Sequence, residues 1–187
     1  MLVVGGGGRG AGKTAVACAL MAAMPELRWV AVKVSPHSHG LQDGVWEEQD
    51  RESEKDTGRY LRAGARRAFL VRGGDDAGEV VEKVRVLAAD CDSGLVESNR
   101  VMASAVAKPG EPVVSIAVLA GGEEEWKASL FETAGRIDAL VLAGGPPRTS
   151  FDVLEASPVF ALEAGKWVNT ELIDLIRNRL LPRIAES

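Results

Sequence analysis

Residues 7–14 read Gly-Gly-Arg-Gly-Ala-Gly-Lys-Thr, a complete GxxxxGK[ST] pattern set between a short apolar run at 2–4 and a helical run beginning at Lys13. This placement restricts the fold more than any other feature of the chain. A glycine-rich turn joining a strand to a helix can direct successive N–H groups into one concavity, because residues without Cβ adopt backbone angles that side chains obstruct. The helix adds unpaired N–H groups and the positive end of its dipole. Phosphate oxygens fit such a concavity. Lys13 supplies a cation for β- and γ-phosphates and Thr14 a hydroxyl for Mg2+. Gly7, Gly8, Arg9, Gly10, Ala11, Gly12, Lys13, Thr14 and Ala15 are therefore the expected binding residues for a nucleoside triphosphate, GTP or ATP. Arg9 either contacts phosphate or reaches solvent.

The rest of the chain agrees with an α/β fold. Apolar runs at 2–4, 29–34, 68–72, 94–97, 113–119 and 139–142 read as strands, and most are continuous, as in strands covered on both faces by helices. Helical patterns cover 13–24, 55–63, 78–89, 124–133 and 170–181, with Pro25 and Pro182 ending the first and last. The alternation predicts a three-layer P-loop NTPase fold with a mainly parallel sheet, and 187 residues suit a single domain over 1–187. Residues 15–24 carry no charge, so that helix is expected to be buried all round. Residues 35–53 are polar, lack apolar periodicity and include Pro36, Gly40 and Gly44, and they read as a mobile functional loop. A second glycine-proline segment, 144–149, follows a strand on the expected ligand edge.

Composition excludes several other functions. With 22 basic and 27 acidic side chains, the net charge of -5 gives no general attraction to nucleic acid or an anionic membrane. Cys18 and Cys91 have no metal-ligand spacing, and no apolar run is long enough to span a bilayer. A cytoplasmic protein is expected.

Phosphoryl chemistry at a P-loop needs an acidic partner near the metal, normally at the end of a neighbouring strand. Glu97, after Leu95 and Val96, has that position; a capping or loop carboxylate is the other reading. Asp56, in Lys55-Asp56-Thr57, could reach Mg2+ or the attacking water, or could simply cap a helix. Lys13, Asp56 and Glu97 are thus the expected catalytic residues, and Thr14, Asp56 and Glu97 the expected Mg2+ residues. His37 and His39 stand two apart beyond Lys33 and could meet a metal, a phosphate or a second substrate, or be solvated. Arg59, Arg62, Arg66 and Arg67 form a basic cluster, most of which is expected to be solvated. Trp126, Lys127 and the glycine-proline segment could flank a base pocket, although packing and turn roles fit them too.

These residues together resemble the molybdopterin-guanine dinucleotide biosynthesis protein B family of the molybdenum cofactor pathway. The likeness rests on 7–14, on Lys33 with His37 and His39, on Lys55-Asp56-Thr57 leading to Ala63-Gly64-Ala65, and on Leu95-Val96-Glu97, and covers roughly the first hundred residues. It implies a GTP-binding, slowly hydrolysing, homodimeric accessory protein that works with a cofactor-biosynthesis partner. It also makes Lys33, His37 and His39 candidates for a second-ligand site. Ser98-Asn99 depart from the glycine and aromatic more often found in that family, and no NKxD guanine-reading motif is present, so a preference for GTP rests on the resemblance alone. A small-molecule kinase using the same phosphate grip is the alternative, although the lid-like stretch at 40–50 carries no arginine. A nucleotide-binding module without useful hydrolysis is the non-enzymatic reading.

Overall fold

The computed structural model describes residues 1–8, 10–35, 43–73, 77–99, 101, 108, 110–120, 136–144 and 157–181. Its strands are β1 (Leu2–Gly6), β2 (Trp29–Ser35), β3 (Gly44–Glu48), β4 (Arg67–Arg72), β5 (Ser93–Glu97), β6 (Val114–Ala120), β7 (Ala139–Ala143) and β8 (Val159–Leu162). The helices are α1 (Lys13–Ala23), α2 (Asp56–Arg62), α3 (Ala77–Leu87) and α4 (Thr170–Leu180). The strands form one sheet in the order β3-β4-β2-β5-β1-β6-β7-β8, parallel throughout except for β3.

Alternation along the strands divides the core into two layers. Leu2 and Val4, Trp29 and Ala31, Leu95, Ile116 and Val118 face one side, where they pack with Val16, Leu20 and Met21 of α1, Tyr60 and Leu61 of α2, and Leu172, Ile176 and Leu180 of α4. Val3, Val30, Val32, Val96, Ala117 and Leu119 face the other, against Val80, Val81 and Val84 of α3. Both faces of each central strand are therefore covered, which explains the unbroken apolar runs and gives the three-layer α/β architecture.

Two edge strands escape apolar patterning. The polar segment at 35–53 contains β3, which pairs antiparallel with β4 in register Trp46↔Leu70. It is held by Arg67 to Glu47 at 2.7 Å and by the Arg72 guanidinium 5.6 Å from the Trp46 ring centre, so its apolar residues need not recur in the sequence. The reading of 35–53 as a mobile functional loop is thus corrected for 44–48, which form a strand. β8 is a four-residue edge strand in which only Leu162 is buried. Helix α1 also differs from expectation: Thr14, Val16, Ala17, Leu20 and Met21 are buried, but Ala22 is exposed. Its uncharged outer face is alanine, which helices tolerate in water. The expected helix at 124–133 lies outside the described residues.

The α1–β2 connection is short and closed. Met24 ends the helix before Pro25, and the Trp29 indole N–H, buried at the start of β2, donates to the Met24 carbonyl at 3.1 Å. Ahead of α1, at the end of β1, the chain passes close to β6. Gly6 has φ of 130°, and a Cβ there would be driven into the backbone carbonyl of Val118 on β6. Replacing Gly6 by alanine is expected to lower unfolding free energy by about 1–3 kcal/mol, since it combines an unfavourable backbone angle with a clash against main chain. Urea denaturation reads this directly, and an unchanged midpoint would refute it.

Candidate functional site

The glycine-rich turn is tied at its entry to the strands on either side. Gly6 N–H donates to Asn99 Oδ1 at 2.8 Å, just beyond β5, and Gly7 N–H donates to the Val118 carbonyl of β6 at 2.9 Å. Lys13 Nζ donates to the Gly7 and Gly8 carbonyls at 3.0 and 2.8 Å, so its ammonium lies over the turn. Gly12 precedes α1 with φ of 92°, and the helix starts with neither a side-chain cap nor an acidic residue in its first turn. The first N–H groups of α1 therefore meet no carboxylate of their own helix that would compete with an anion.

Sheet register brings the second half of the site to this turn. Glu97 ends β5 opposite Val4 of β1 and opposite Lys33 of β2. Strand alternation puts Lys33 on the face of Ala31 and Glu97 on that of Leu95, both toward α1 and α2. Glu97 is 2% exposed. Thr14 Oγ1 donates to its Oε2 at 2.7 Å, the Tyr60 hydroxyl donates to the same oxygen at 2.5 Å, and the Lys33 ammonium donates to Oε1. Lys33 also lies 3.0 Å from Asp56 Oδ2 at the start of α2, and Arg59 is 3.5 Å from Asp56 Oδ1. Lys55 holds the N-cap position of α2, and Asp56, within the first turn, turns its carboxylate to Lys33.

The electrostatics follow from this packing. Burial opposes the charge on Lys33, but Glu97 and then Asp56 outweigh it and hold its pKa above the usual lysine value. Burial also works against the Asp56 carboxylate, yet hydrogen bonding and charge from Lys33, helped by Thr14 and Arg59, hold it below the usual aspartate value. Tyr60 is pushed well above the ordinary phenol, first by burial and then by Glu97, which keeps it a hydrogen-bond donor. Burial raises nearby Cys18 to about 11, leaving it a thiol.

Thr14, Lys33, Asp56 and Glu97 thus converge, with Lys13 beside them on the turn. Gly8, Gly10, Ala11, Gly12 and Ala15 lie on the turn and the first turn of α1, whereas Arg9, His37 and His39 lie outside the described residues. Of the arginine cluster only Arg59 reaches this constellation. Arg62 binds the Arg51 and Ser53 carbonyls, Arg67 pairs with Glu47, and Arg66 is exposed. Tyr60 and Asn99 are contributors that sequence reasoning missed. Tyr60 follows Asp56 by four residues, so the two share a helix face, and that spacing was the available signal.

The converging donors suit Mg2+: one hydroxyl and two carboxylates, all oxygen. Among the described residues no group of three or more His, Cys, Asp or Glu could hold a metal ion. Mg2+ at phosphate sites takes only one or two carboxylates and completes its shell with phosphate and water, so this donor set still fits. No helix among the described residues is long and apolar enough to cross a membrane.

No protein-family model matches the chain, and no curated protein matches it. Solved structures do. The hydrogenase maturation factor HypB of Archaeoglobus fulgidus aligns with TM-score 0.58 and 15% identity, covering 96% of this chain and 90% of its own. HypB of Helicobacter pylori, solved in complex with nickel, gives 0.54 and 13%, covering 96% and 85%. FlhF complexed with GMPPNP and Mg2+ gives 0.51 and 12%, covering 85% and 63%. At these identities the likeness shows the fold, and that fold is the P-loop NTPase fold.

Proposed function

We propose that this chain binds a magnesium nucleoside triphosphate and hydrolyses it slowly, as an accessory protein in the assembly of a cofactor or metal centre. The observation that carries this reading is the 2.7 Å hydrogen bond from Thr14 to buried Glu97. It sets the hydroxyl of the glycine-rich turn against a strand-end carboxylate, the two protein groups that position Mg2+ in this chemistry.

In this reading the turn's N–H groups and Lys13 grip the phosphates, and Thr14 and Glu97 would hold Mg2+ directly or through water, where it would supply positive charge to the phosphates. Asp56 orients a water at the γ end. Lys33 balances both carboxylates, so a divalent cation competes with it for the same oxygens. Positioning and electrostatics supply most of the acceleration, since phosphoryl transfer asks little covalent chemistry of the protein.

The accessory role draws on two independent likenesses. The fold resembles that of hydrogenase maturation factors, one of them bound to nickel, while the Lys33, Asp56 and Glu97 motifs resemble molybdopterin-guanine dinucleotide biosynthesis protein B. Both point to cofactor assembly, and the second favours a molybdenum role. GTP is supported by that resemblance and by FlhF, which binds a guanine analogue. Homodimerisation and a partner protein are carried by the motif resemblance.

Isothermal titration with GTP, ATP and their magnesium complexes tests binding, and absence of any heat in the wild-type protein would overturn the proposal. Lys13→Ala is expected to weaken nucleotide binding by about 1.5–3 kcal/mol, the range for a lost charge-assisted contact. Glu97→Gln is expected to raise the Mg2+ concentration needed for half-maximal hydrolysis about tenfold or more. An unchanged Mg2+ requirement would remove Glu97 from the metal site. A substrate among candidate metabolites that raised diphosphate release far above the basal rate would establish the kinase alternative instead.

Lys33→Met tests the charge balance. Loss of the cation leaves Glu97 and Asp56 facing each other, and stability at pH 7 is expected to fall by about 2–4 kcal/mol. The sign with pH follows from Asp56, whose depressed pKa contributes stability that is present above its unfolded value and lost as pH falls through its folded value. Because Lys33 supplies much of that depression, the gap between wild type and variant should narrow only as pH falls below the ordinary aspartate value of 3.8, toward about 3. Denaturant unfolding at both pH values measures it, and a gap independent of pH would refute the account.

A further inference from the structure

Trp167 is 41% exposed, and the backbone on both sides of it is held in place. Residues 163–166, just after β8, form a tight turn in which Lys166 N–H donates to the Glu163 carbonyl at 3.0 Å and Gly165 takes φ of 79°, the pattern of a type II turn. On its other side Asn169 caps α4, its side chain accepting from Leu172 N–H at 2.9 Å. Between these two fixed points the indole lies over the glycine-rich turn. A Cβ on Gly12 would sit 2.7 Å from the Trp167 ring and 3.5 Å from Ala143 Cβ at the end of β7.

The ring stands on a definite side of the phosphate site. Glu97, Lys33 and Asp56 belong to β5, β2 and the start of α2, on one side of β1, whereas Ala143 and Trp167 belong to β7 and the segment after β8, on the other. Glu97 and Asp56, the carboxylates that would hold Mg2+ in the reading above, lie on the first side, so a triphosphate gripped by this turn would direct its γ end toward Glu97. Its α-phosphate, sugar and base then leave the turn toward β6, β7 and β8.

We infer that Trp167 is the stacking platform for the nucleobase, a subsite that accepts the face of a purine or pyrimidine beside Gly12. This rests on the nucleotide-binding reading above and adds the base end to it. Stacking on an indole is tolerant of base identity because every base presents a π face. A chain without an NKxD motif thereby gains base affinity without an edge-reading side chain. An aromatic side chain with only two torsions also loses little conformational freedom when the ligand arrives.

The test is titration of Mg2+ with GTP, ATP and inorganic tripolyphosphate into the wild-type protein, Trp167→Ala and Trp167→Phe. Tripolyphosphate has the phosphates and no base. Trp167→Ala is expected to lose about tenfold or more in affinity for both nucleotides while holding tripolyphosphate within about twofold, and Trp167→Phe is expected to keep most of the nucleotide affinity. Retained tripolyphosphate binding also reports a folded site. Equal losses for tripolyphosphate and nucleotide would make Trp167 a packing wall for the turn and overturn the inference, as would unchanged nucleotide affinity in Trp167→Ala. If the wild type binds tripolyphosphate as tightly as GTP and ATP, the base subsite falls while the phosphate grip stands. If it binds none of the three, the nucleotide reading itself falls and takes the subsite with it.

Discussion

The buried carboxylate of Glu97 is the constraint on which the site depends. At 2% exposure an ionised carboxylate without partners would cost several kcal/mol. Here its oxygens accept from Thr14 on α1, Tyr60 on α2 and Lys33 on β2, and hydrogen bonds to a charged group contribute about 1.5–3 kcal/mol each. Three separate elements are thus held to the end of β5 by one side chain. A displacement of any of them leaves a buried charge short of a donor, so the start of α1, the middle of α2 and the end of β2 have coupled positions. Asp56 extends the coupling, because Lys33 bridges it to Glu97 from the β2 side.

This coupling also explains how the charges coexist. Glu97 and Asp56 would repel across a half-buried space, and Lys33 lies between them with its pKa raised despite burial. The Tyr60 hydroxyl, kept protonated by burial and by Glu97, adds a neutral donor that needs no counter-charge. Lys33 offsets both carboxylates in the folded chain, and in the proposed reading Mg2+ would have to compete with it for the same oxygens.

Much of the fold was readable because central strands and their covering helices follow local rules. Unbroken apolar runs marked β1, β2, β4, β5, β6 and β7 to within two residues, and the glycine-rich turn marked where β1 gives way to α1. The edges were not readable in this way. β3 is stabilised by Glu47 to Arg67 and Trp46 to Arg72, contacts that leave no period in its own segment, and β8 shows too little burial to pattern four residues. The site divides similarly. Thr14, Asp56 and Glu97 occupy positions with a local signature, a glycine-rich turn, a helix start and a strand end. Asn99, Tyr60 and Trp167 earn their roles through partners 93, 37 and 155 residues away, at Gly6, Glu97 and Gly12. Nothing in their immediate neighbours states those distances.

The strand order gives the two ends of the site different physics. Toward β5 and β2 the groups are charged and largely buried, so interactions there are strong, specific in geometry and sensitive to pH and to divalent cations. Toward β7 and β8 the turn meets Ala143 and a half-exposed indole, where contact is apolar, tolerant and nearly independent of pH. Because β1 separates the two, residues on one side can change without disturbing the donors on the other. The resemblance in motifs covers the charged side and fades in the second half of the chain, which supplies the apolar side. In the proposed reading the metal-facing half depends on fixed distances among Thr14, Lys33, Asp56 and Glu97, whereas the base-facing half needs only an aromatic face held above Gly12.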